Sequence, residues 1–477
     1  MSARYTFPPG PRRPALVQAA NVMLDPHGWL HARHRRFGDV FSSRFPVYGR
    51  VVYLAEPELA KELLTGNPEL WHSGEATATV LEPVLGSHSV LTLDEDAHLT
   101  QRKLLLPPFH GERVRRYGEL MAELTAREVD TWPRGEEIEL RPRFQAVTLE
   151  VILRTVFGVR EESRLRLFRE RITQLGESSS LLVFFPLLRR NLGRLSPMRR
   201  FLAARAAADA LIYAEIAERR AAPDAEERED VLSLLLSARH EDGSPMSDVE
   251  LRDELMTLLT AGHETTATAL SWAVERLVRN QAAMERLERD LDDDAYLDAV
   301  VRETLRVRPV ITDIGRTLTR DHEVAGYRLP AGTMVLAALG AIHVRPDRWP
   351  DPHAFRPERF LEDGVGDGYT WVPFGGGVRR CLGASFAQME MRIVLREVFR
   401  RVRLRAASPA DERARLRHVT VVPRRNTRVI ADQRPAPTTT ASFAPREAPA
   451  ISESAAPTES IPASSASARA AARSPRA

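Results

Sequence analysis

The sequence predicts a mainly α-helical protein with small β-sheets, built as one large domain between a short lead-in and a low-complexity tail. Three observations predict it. From about residue 95 to 310 the chain is dominated by Ala, Leu, Arg and Glu, all good helix formers. Short runs of β-formers bounded by turn residues are read near residues 41–55 and 324–340. From about Arg434 onward, Ala, Pro, Ser and Thr replace any aliphatic periodicity, so the segment cannot offset its ordering entropy and is expected to be disordered. The boundaries read as 1–14, 15–433 and 434–477.

Residues 7–14, FPPGPRRP, are expected to be extended, because proline fixes its own φ and restricts its predecessor. FSSRFPVYGRVVYLA, residues 41–55, reads as two strands around Tyr48 and Gly49, with a helix opened by Glu56, Pro57 and Glu58. The helical body is broken by the charged stretch APDAEEREDV, residues 222–231, and Ser247 to Glu250 form a capping-box pattern that opens a long helix running to about Arg279. Beyond Pro309, residues 324–340 look like a hairpin turning at Pro330, Ala331 and Gly332. A proline-punctuated meander follows, and helix resumes only after Cys381.

A hydrophobic share of 43% supports a large core, and a formal charge of +3 with 6% aromatics argues against a nucleic-acid binder. The single cysteine excludes an intrachain disulfide, a zinc–thiolate site and an iron–sulfur cluster, each of which needs several thiolates. The first residues lack a signal-peptide core and no apolar run is long enough to span a bilayer, so the expectation is a cytoplasmic protein without a transmembrane segment.

Phe374-Gly375-Gly376-Gly377-Val378-Arg379-Arg380-Cys381-Leu382-Gly383 is glycine-rich and runs into a helical stretch, placing the sulfur near a helix N-terminus. There the dipole, free N–H groups, Arg379 and Arg380 are expected to favour the thiolate, and the glycines to let the backbone approach something flat and large. A phosphate is the rival guest, but the GK[ST] ending of a P-loop is missing. A lone cysteine is otherwise most often an inert buried group.

This loop, FGGGVRRCLG, resembles the F-x-x-G-x-R-x-C-x-G heme loop of the cytochrome P-450 superfamily. The resemblance extends over roughly residues 8–430 and implies that family's fold, a single triangular heme-binding domain. It implies heme b as cofactor, with Cys381 the axial iron ligand and metal site, Arg379 the partner of a heme propionate, Phe374 beside the sulfur, and Gly375 and Gly383 as loop positions. A thiolate pushes electron density onto iron and favours O–O cleavage.

Four further motifs lie in the family's order. Ala261-Gly262-His263-Glu264-Thr265-Thr266 resembles its oxygen-activation segment, which implies Thr265 hydrogen-bonding to the O2 co-substrate, Glu264 delivering protons, and Ala261 and Gly262 leaving room over the heme, with a local helix distortion to admit water. Alone, the segment reads equally as close helix packing around a small residue. Glu303 and Arg306, neighbours on one helical face, resemble the E-x-x-R motif, and Arg359 in RPERF its third member, a structural network. His98 and Arg102, spaced i,i+4, resemble the H-x-x-x-R that binds heme propionates, and Arg316 matches a further propionate-binding arginine.

The implied activity is monooxygenation: hydroxylation or epoxidation of a lipophilic small molecule, a fatty acid, terpenoid, steroid or hydrocarbon, by an oxidoreductase. Residues 72–92, 176–196 and 310–314 are expected to roof the heme, and residues around DEDAHLTQRKLLLPPFHGERV resemble bacterial members associated with fatty-acid and terpenoid oxidation. With no flavin or iron–sulfur domain visible, electrons are expected from NAD(P)H through a ferredoxin or flavodoxin with its reductase. That partner would dock on Arg379, Arg380, Arg392, Arg396, Arg400 and Arg401 of a monomeric enzyme, although a solvated charged face explains these arginines equally well. The alternatives are a peroxygenase or isomerase on the same fold, or a non-oxygenating heme sensor or scaffold.

Overall fold

In the computed structural model, which describes residues 5–109, 112–184, 193, 196–224 and 227–433, the two strands expected near the N-terminus are β1 (Val40–Phe45) and β2 (Gly49–Leu54). They pair antiparallel and form one edge of a five-stranded sheet. The sheet continues through β8 (Met334–Ala337) and β5 (Ile314–Leu318) to the short β3 (Trp71–His72), with β2 and β8 parallel. Helix α3 (Pro57–Thr65) follows β2 with Pro57 at its first position, as read from the sequence.

The expected hairpin at Pro330 to Gly332 does not form. Strand β7 (Tyr327–Leu329) turns at Ala325 and Gly326 to pair with β6 (His322–Val324), while β8 leaves to join β2 and β5. Proline-containing turns connect sheets as readily as they close hairpins, and β8, buried along its whole length, gains more from two partners inside the large sheet. The helical body is otherwise as expected: α9 (Pro197–Ala221) ends and α10 (Val231–Ser237) begins at the charged break, with Asp230 capping α10 through the Ser233 N–H at 3.0 Å.

Helix α11 (Asp248–Leu277) is the central element, opened by the capping box in which Ser247 and Glu250 satisfy each other's backbone N–H groups. It buries Leu251, Leu255, Met256, Leu259, Leu270, Trp272 and Leu277, each large side chain contributing about 1.5–3 kcal/mol. Its most extensive neighbour is α7 (Leu140–Thr155), and it also packs on α15 (Ala384–Arg401), the helix that follows Cys381. The chain divides into units 1–434 and 435–477, and the tail expected over 434–477 lies outside the described residues.

Glu303 and Arg306, on α13 (Asp294–Val307), are wholly buried rather than a surface pair. Arg306 binds both carboxylate oxygens of Glu303, at 2.7 and 2.8 Å, and Arg359 adds a third contact at 3.1 Å. Arg306 also donates to the carbonyls of His343 at 2.8 Å, Pro352 at 2.7 Å and Ala354 at 3.1 Å. The pair therefore pins the proline meander, whose own backbone bonds are mostly short-range turns. His343 extends the link, its Nε2 accepting from the Val372 N–H at 3.0 Å. That bond requires neutral imidazole, and burial with Arg306 nearby lowers the group to about 3.

Two outcomes follow for stability. Glu303→Ala leaves two buried guanidiniums without their carboxylate and should cost about 3–5 kcal/mol in urea denaturation; a loss below about 1 kcal/mol would contradict the buried-pair reading. Because His343 titrates near its ordinary value when unfolded and about 3 when folded, the unfolded chain binds more protons between these limits. Stability should thus fall as pH drops from about 6.5 toward 3, less steeply in His343→Asn.

Candidate functional site

The loop carrying Cys381 is set by backbone bonds: the Gly375 N–H donates to Val372 O at 3.0 Å and the Cys381 N–H to Phe374 O at 2.9 Å. Phe374 packs edge-on against Trp371, ring centroids 6.2 Å apart, and the Trp371 Nε1–H donates to Arg302 O at 3.1 Å. Two of the glycines allow protein to pack closely on the loop. A Cβ on Gly376 would lie 2.6 Å from the Tyr369 ring, and one on Gly377, whose φ is +62°, 2.5 Å from the Leu64 carbonyl. Gly383 alone faces open space and is the residue before α15.

Cys381 lies deep enough for burial to raise its thiol above the ordinary value, yet its surface is open. The expected bias toward thiolate is thus outweighed in the protein alone: the Gly383 N–H, Arg380 and Arg102 pull the thiol down, but desolvation exceeds them. Arg379 does not serve the sulfur. It turns to the carbonyls of Val90, at 3.1 Å, and Leu93, and to Asp94 Oδ1 at 2.6 Å.

Around Arg102, whose charge reaches the sulfur, the structure gathers His98 from the same helix α5 (Glu95–Leu105), Arg316 from β5, and Arg379. Burial and the three guanidiniums lower His98 to about 3, and burial with Arg379 nearby lowers Arg316 to about 10. Their one carboxylate neighbour is Asp94, which already accepts from the N–H groups of Ser73, Gly74 and Glu75 at 2.8, 2.7 and 2.8 Å. Among the described residues, Arg102 has no carboxylate partner and Arg316 donates only to Gly315 O, at 2.8 Å. Three guanidiniums and one carboxylate leave two positive charges in a partly dry interior, a state that calls for a bound dianion. A flat macrocycle with two carboxylates, seated against the thiol, fits this donor set.

On α11, Ala261 is exposed and Gly262 to Thr265 are half-buried, although residues 251–257 and 266–270 are buried, so the helix borders open space there. The Thr265 hydroxyl donates to Ala261 O at 2.6 Å, leaving its oxygen free to accept. Gly262 does not face that space: a Cβ would lie 2.7 Å from Ile152 Cδ1, so the glycine permits the close packing of α7. The expected distortion is absent, α11 being regular α-helix throughout. Glu264 points to α7, pairing with Arg141 and accepting from Gln145 Nε2 at 2.5 Å. Burial favours its neutral form, but Arg141, His263 and Arg417 prevail and hold the carboxyl below its ordinary value.

The family model for cytochrome P450 matches residues 8–430. The chain belongs to the cytochrome P450 family. It is 46% identical over 437 residues to cytochrome P450 135B1 of Mycobacterium tuberculosis, covering 89% of this chain and 91% of that one. Cytochrome P450 135A1 of the same organism is 38% identical, with 88% and 93% covered. Among solved structures, retinoic-acid-bound cyanobacterial CYP120A1 superposes with a TM-score of 0.77 at 26% identity, over 90% of this chain and all of that one. The heme domain of cytochrome P450DA, at 22% identity and a TM-score of 0.78 over 90% and 98%, shares the fold. Membership makes the protein a heme-thiolate monooxygenase in general terms, using heme, O2 and electrons from a redox partner. Among the described residues no helix is long and apolar enough to cross a membrane.

The expected docking patch of this P450 is largely neutralised. Arg392 pairs with Asp298 at 3.3 Å, Arg396 with Asp294, Arg400 with Asp292, and Arg401 with Glu397 at 3.5 Å. With Arg379 turned inward, only Arg380 of the six is exposed without a carboxylate partner among the described residues. Of the expected roof, Ile314 meets the loop at Gly375, whereas the side chains of residues 180–184 and all of 185–192 lie outside the described residues. Sequence reasoning missed Asp94, Arg141 and Gln145, and left His343 as a structural or surface group, of which the structure shows the structural role. Asp94 alone carried a signal, as an acidic residue just before a helix.

If the guanidinium cluster holds the dianion, Arg102→Gln with Arg316→Gln should lower the heme retained through gel filtration several-fold while far-ultraviolet circular dichroism stays native. Full heme retention in that double variant would contradict the assignment.

Proposed function

We propose that this P450 hydroxylates or epoxidises a lipophilic small molecule, a fatty acid, terpenoid, steroid or hydrocarbon, in the cytoplasm, with electrons passed from NAD(P)H through a ferredoxin or flavodoxin and its reductase. The observation that carries the reading is the joining of a deep, open Cys381 to an uncompensated cluster of His98, Arg102, Arg316 and Arg379. In this reading heme b would be held by the Cys381 sulfur, with His98, Arg102, Arg316 and Arg379 available to its carboxylates. The bound heme supplies O2 activation, which no side chain can provide.

The residues of the chain have separate tasks. Cys381, as thiolate once metal is bound, donates electron density that histidine would not. Arg102 and Arg316 offset the propionate charge, and neutral His98 adds a hydrogen bond. Ala261 keeps the helix surface low where substrate and O2 must fit, and Thr265 hydrogen-bonds there, its hydroxyl free to turn from Ala261 O toward a guest. Glu264 supplies protons from a carboxylate oriented by Arg141 and Gln145, so delivery requires that it leave this pairing. The retinoic acid held by the cyanobacterial neighbour, a long apolar molecule, supports the lipophilic class. Arg380 remains as the exposed cation for an acidic electron donor.

The test is turnover of a panel of fatty acids and terpenoids with a surrogate ferredoxin system, comparing Thr265→Ala. Product formed per electron consumed should fall by about tenfold or more while reductant consumption persists, since positioned proton transfer contributes at least that much. Full coupling in the variant would remove Thr265 from the proton path. Arg380→Glu should slow reduction and flatten its dependence on salt; unchanged kinetics would exclude this docking point.

A further inference from the structure

Helix α1 (Ala15–Leu24), with sequence ALVQAANVML, is inverted relative to an ordinary surface helix. It carries no charged residue, and its one buried side chain is polar. Gln18 turns inward, donating to Arg13 O at 2.7 Å and accepting from the Arg44 N–H at 3.3 Å. At 100° per residue, Leu16, Val17, Ala20 and Leu24 fall within one arc on the opposite side. That arc is solvent-facing: Leu16 is 67% exposed, Val17 42% and Leu24 65%. A folded protein does not gain from holding three large aliphatic side chains in water around a single helix face.

The N-terminal segment that carries this face is strongly basic. Between residues 5 and 55 lie Arg12, Arg13, Arg33, Arg35, Arg36, Arg44 and Arg50, against Asp25 and Asp39 only. Both acids are committed locally, Asp25 capping the next helix through the Gly28 N–H at 3.0 Å and Asp39 holding His34 at 2.7 Å and Arg345. Among the described residues none of the seven arginines has a carboxylate partner, unlike Arg392, Arg396 and Arg400 on the other basic helix. Several are close enough to repel: Arg33 is depressed by burial and by Arg13 and Arg36, and Arg50 by burial and Arg44.

We propose that α1 and its arginine surround dock on the surface of an anionic lipid bilayer, with Leu16, Val17 and Leu24 entering the headgroup boundary and the arginines pairing with lipid phosphates. The charge complementarity selects the occupant: an acidic protein or nucleic acid would satisfy the arginines but leave the aliphatic arc wet, whereas an anionic membrane surface satisfies both. Helix α1 also packs on β10 (Ala414–Arg417), which forms a hairpin with β11 (Thr420–Pro423). At the tip between these strands, His418 Nε2 lies 3.1 Å from Gly176 O and 3.4 Å from Ser179 Oγ on α8 (Glu162–Phe184), which ties the hairpin to the helical body. The inference is independent of the catalytic reading.

Co-sedimentation of the full-length protein with vesicles tests it, using phosphatidylcholine alone and phosphatidylcholine mixed with phosphatidylglycerol. Binding to the anionic vesicles is expected, weakened at least tenfold by Leu16→Glu with Leu24→Glu and by Arg12→Glu with Arg13→Glu, while thermal unfolding followed by circular dichroism stays unchanged. Failure to bind anionic vesicles at low salt would overturn the proposal. So would binding that survives the leucine substitutions, which assigns attachment to charge alone, or a dimer of the wild-type protein that those substitutions convert to monomer without any vesicle binding, which assigns the face to a second copy.

Discussion

The buried Glu303–Arg306 pair is the constraint on which the heme-side half of the molecule depends. A carboxylate and a guanidinium without solvent access are tolerable only when every donor and acceptor is used. Arg306 meets that condition by reaching into three carbonyls of the meander, and Glu303 by also accepting from Arg359 and from the Arg356 N–H at 2.8 Å. A stretch with almost no secondary structure is thereby fixed from within. Through His343 and Val372 the same constraint reaches the turn that presents Cys381. The sulfur's position is set by an ion pair with which it makes no direct contact.

The second organising force is a deficit. The guanidiniums of Arg102, Arg316 and Arg379 stand near one another with a single carboxylate, Asp94, which three backbone N–H groups already engage. Such an arrangement costs stability until an anion arrives, and its net charge of two matches the two propionates of heme b. The chain thus stores part of its cofactor affinity as unrelieved repulsion. The exposed apolar arc of α1, in a segment whose arginines have no carboxylate partner among the described residues, is a deficit of the same kind at the surface.

Much of this was legible in the sequence where local rules decide it. The capping box at Ser247, Pro57 at a helix start and the charged break before Val231 are short-range signals, and each marks the element it predicts. The Cys381 loop and the E-x-x-R segment were legible because chemistry fixes residue types at fixed spacing. Tertiary choices were not. Whether β8 pairs with β7 or with β2 depends on partners hundreds of residues away. Spacing could not show that Arg379 turns to Asp94, that Glu264 is held by Arg141, or that Arg392, Arg396 and Arg400 are neutralised by aspartates from the neighbouring helices. Nor could spacing show which protein groups approach Gly262, Gly376 and Gly377, namely Ile152, Tyr369 and Leu64.

The central claim is that Cys381 binds heme iron as a thiolate in a pocket whose positive charge awaits the propionates. The most direct measurement is the absorption spectrum of the reduced carbon monoxide complex of the purified protein beside that of Cys381→His. The wild type should show the red-shifted Soret band from which the family takes its name, and the variant, if it retains heme, the blue-shifted band of imidazole ligation. A wild-type protein without the red-shifted band, or a variant that keeps it, would contradict the account.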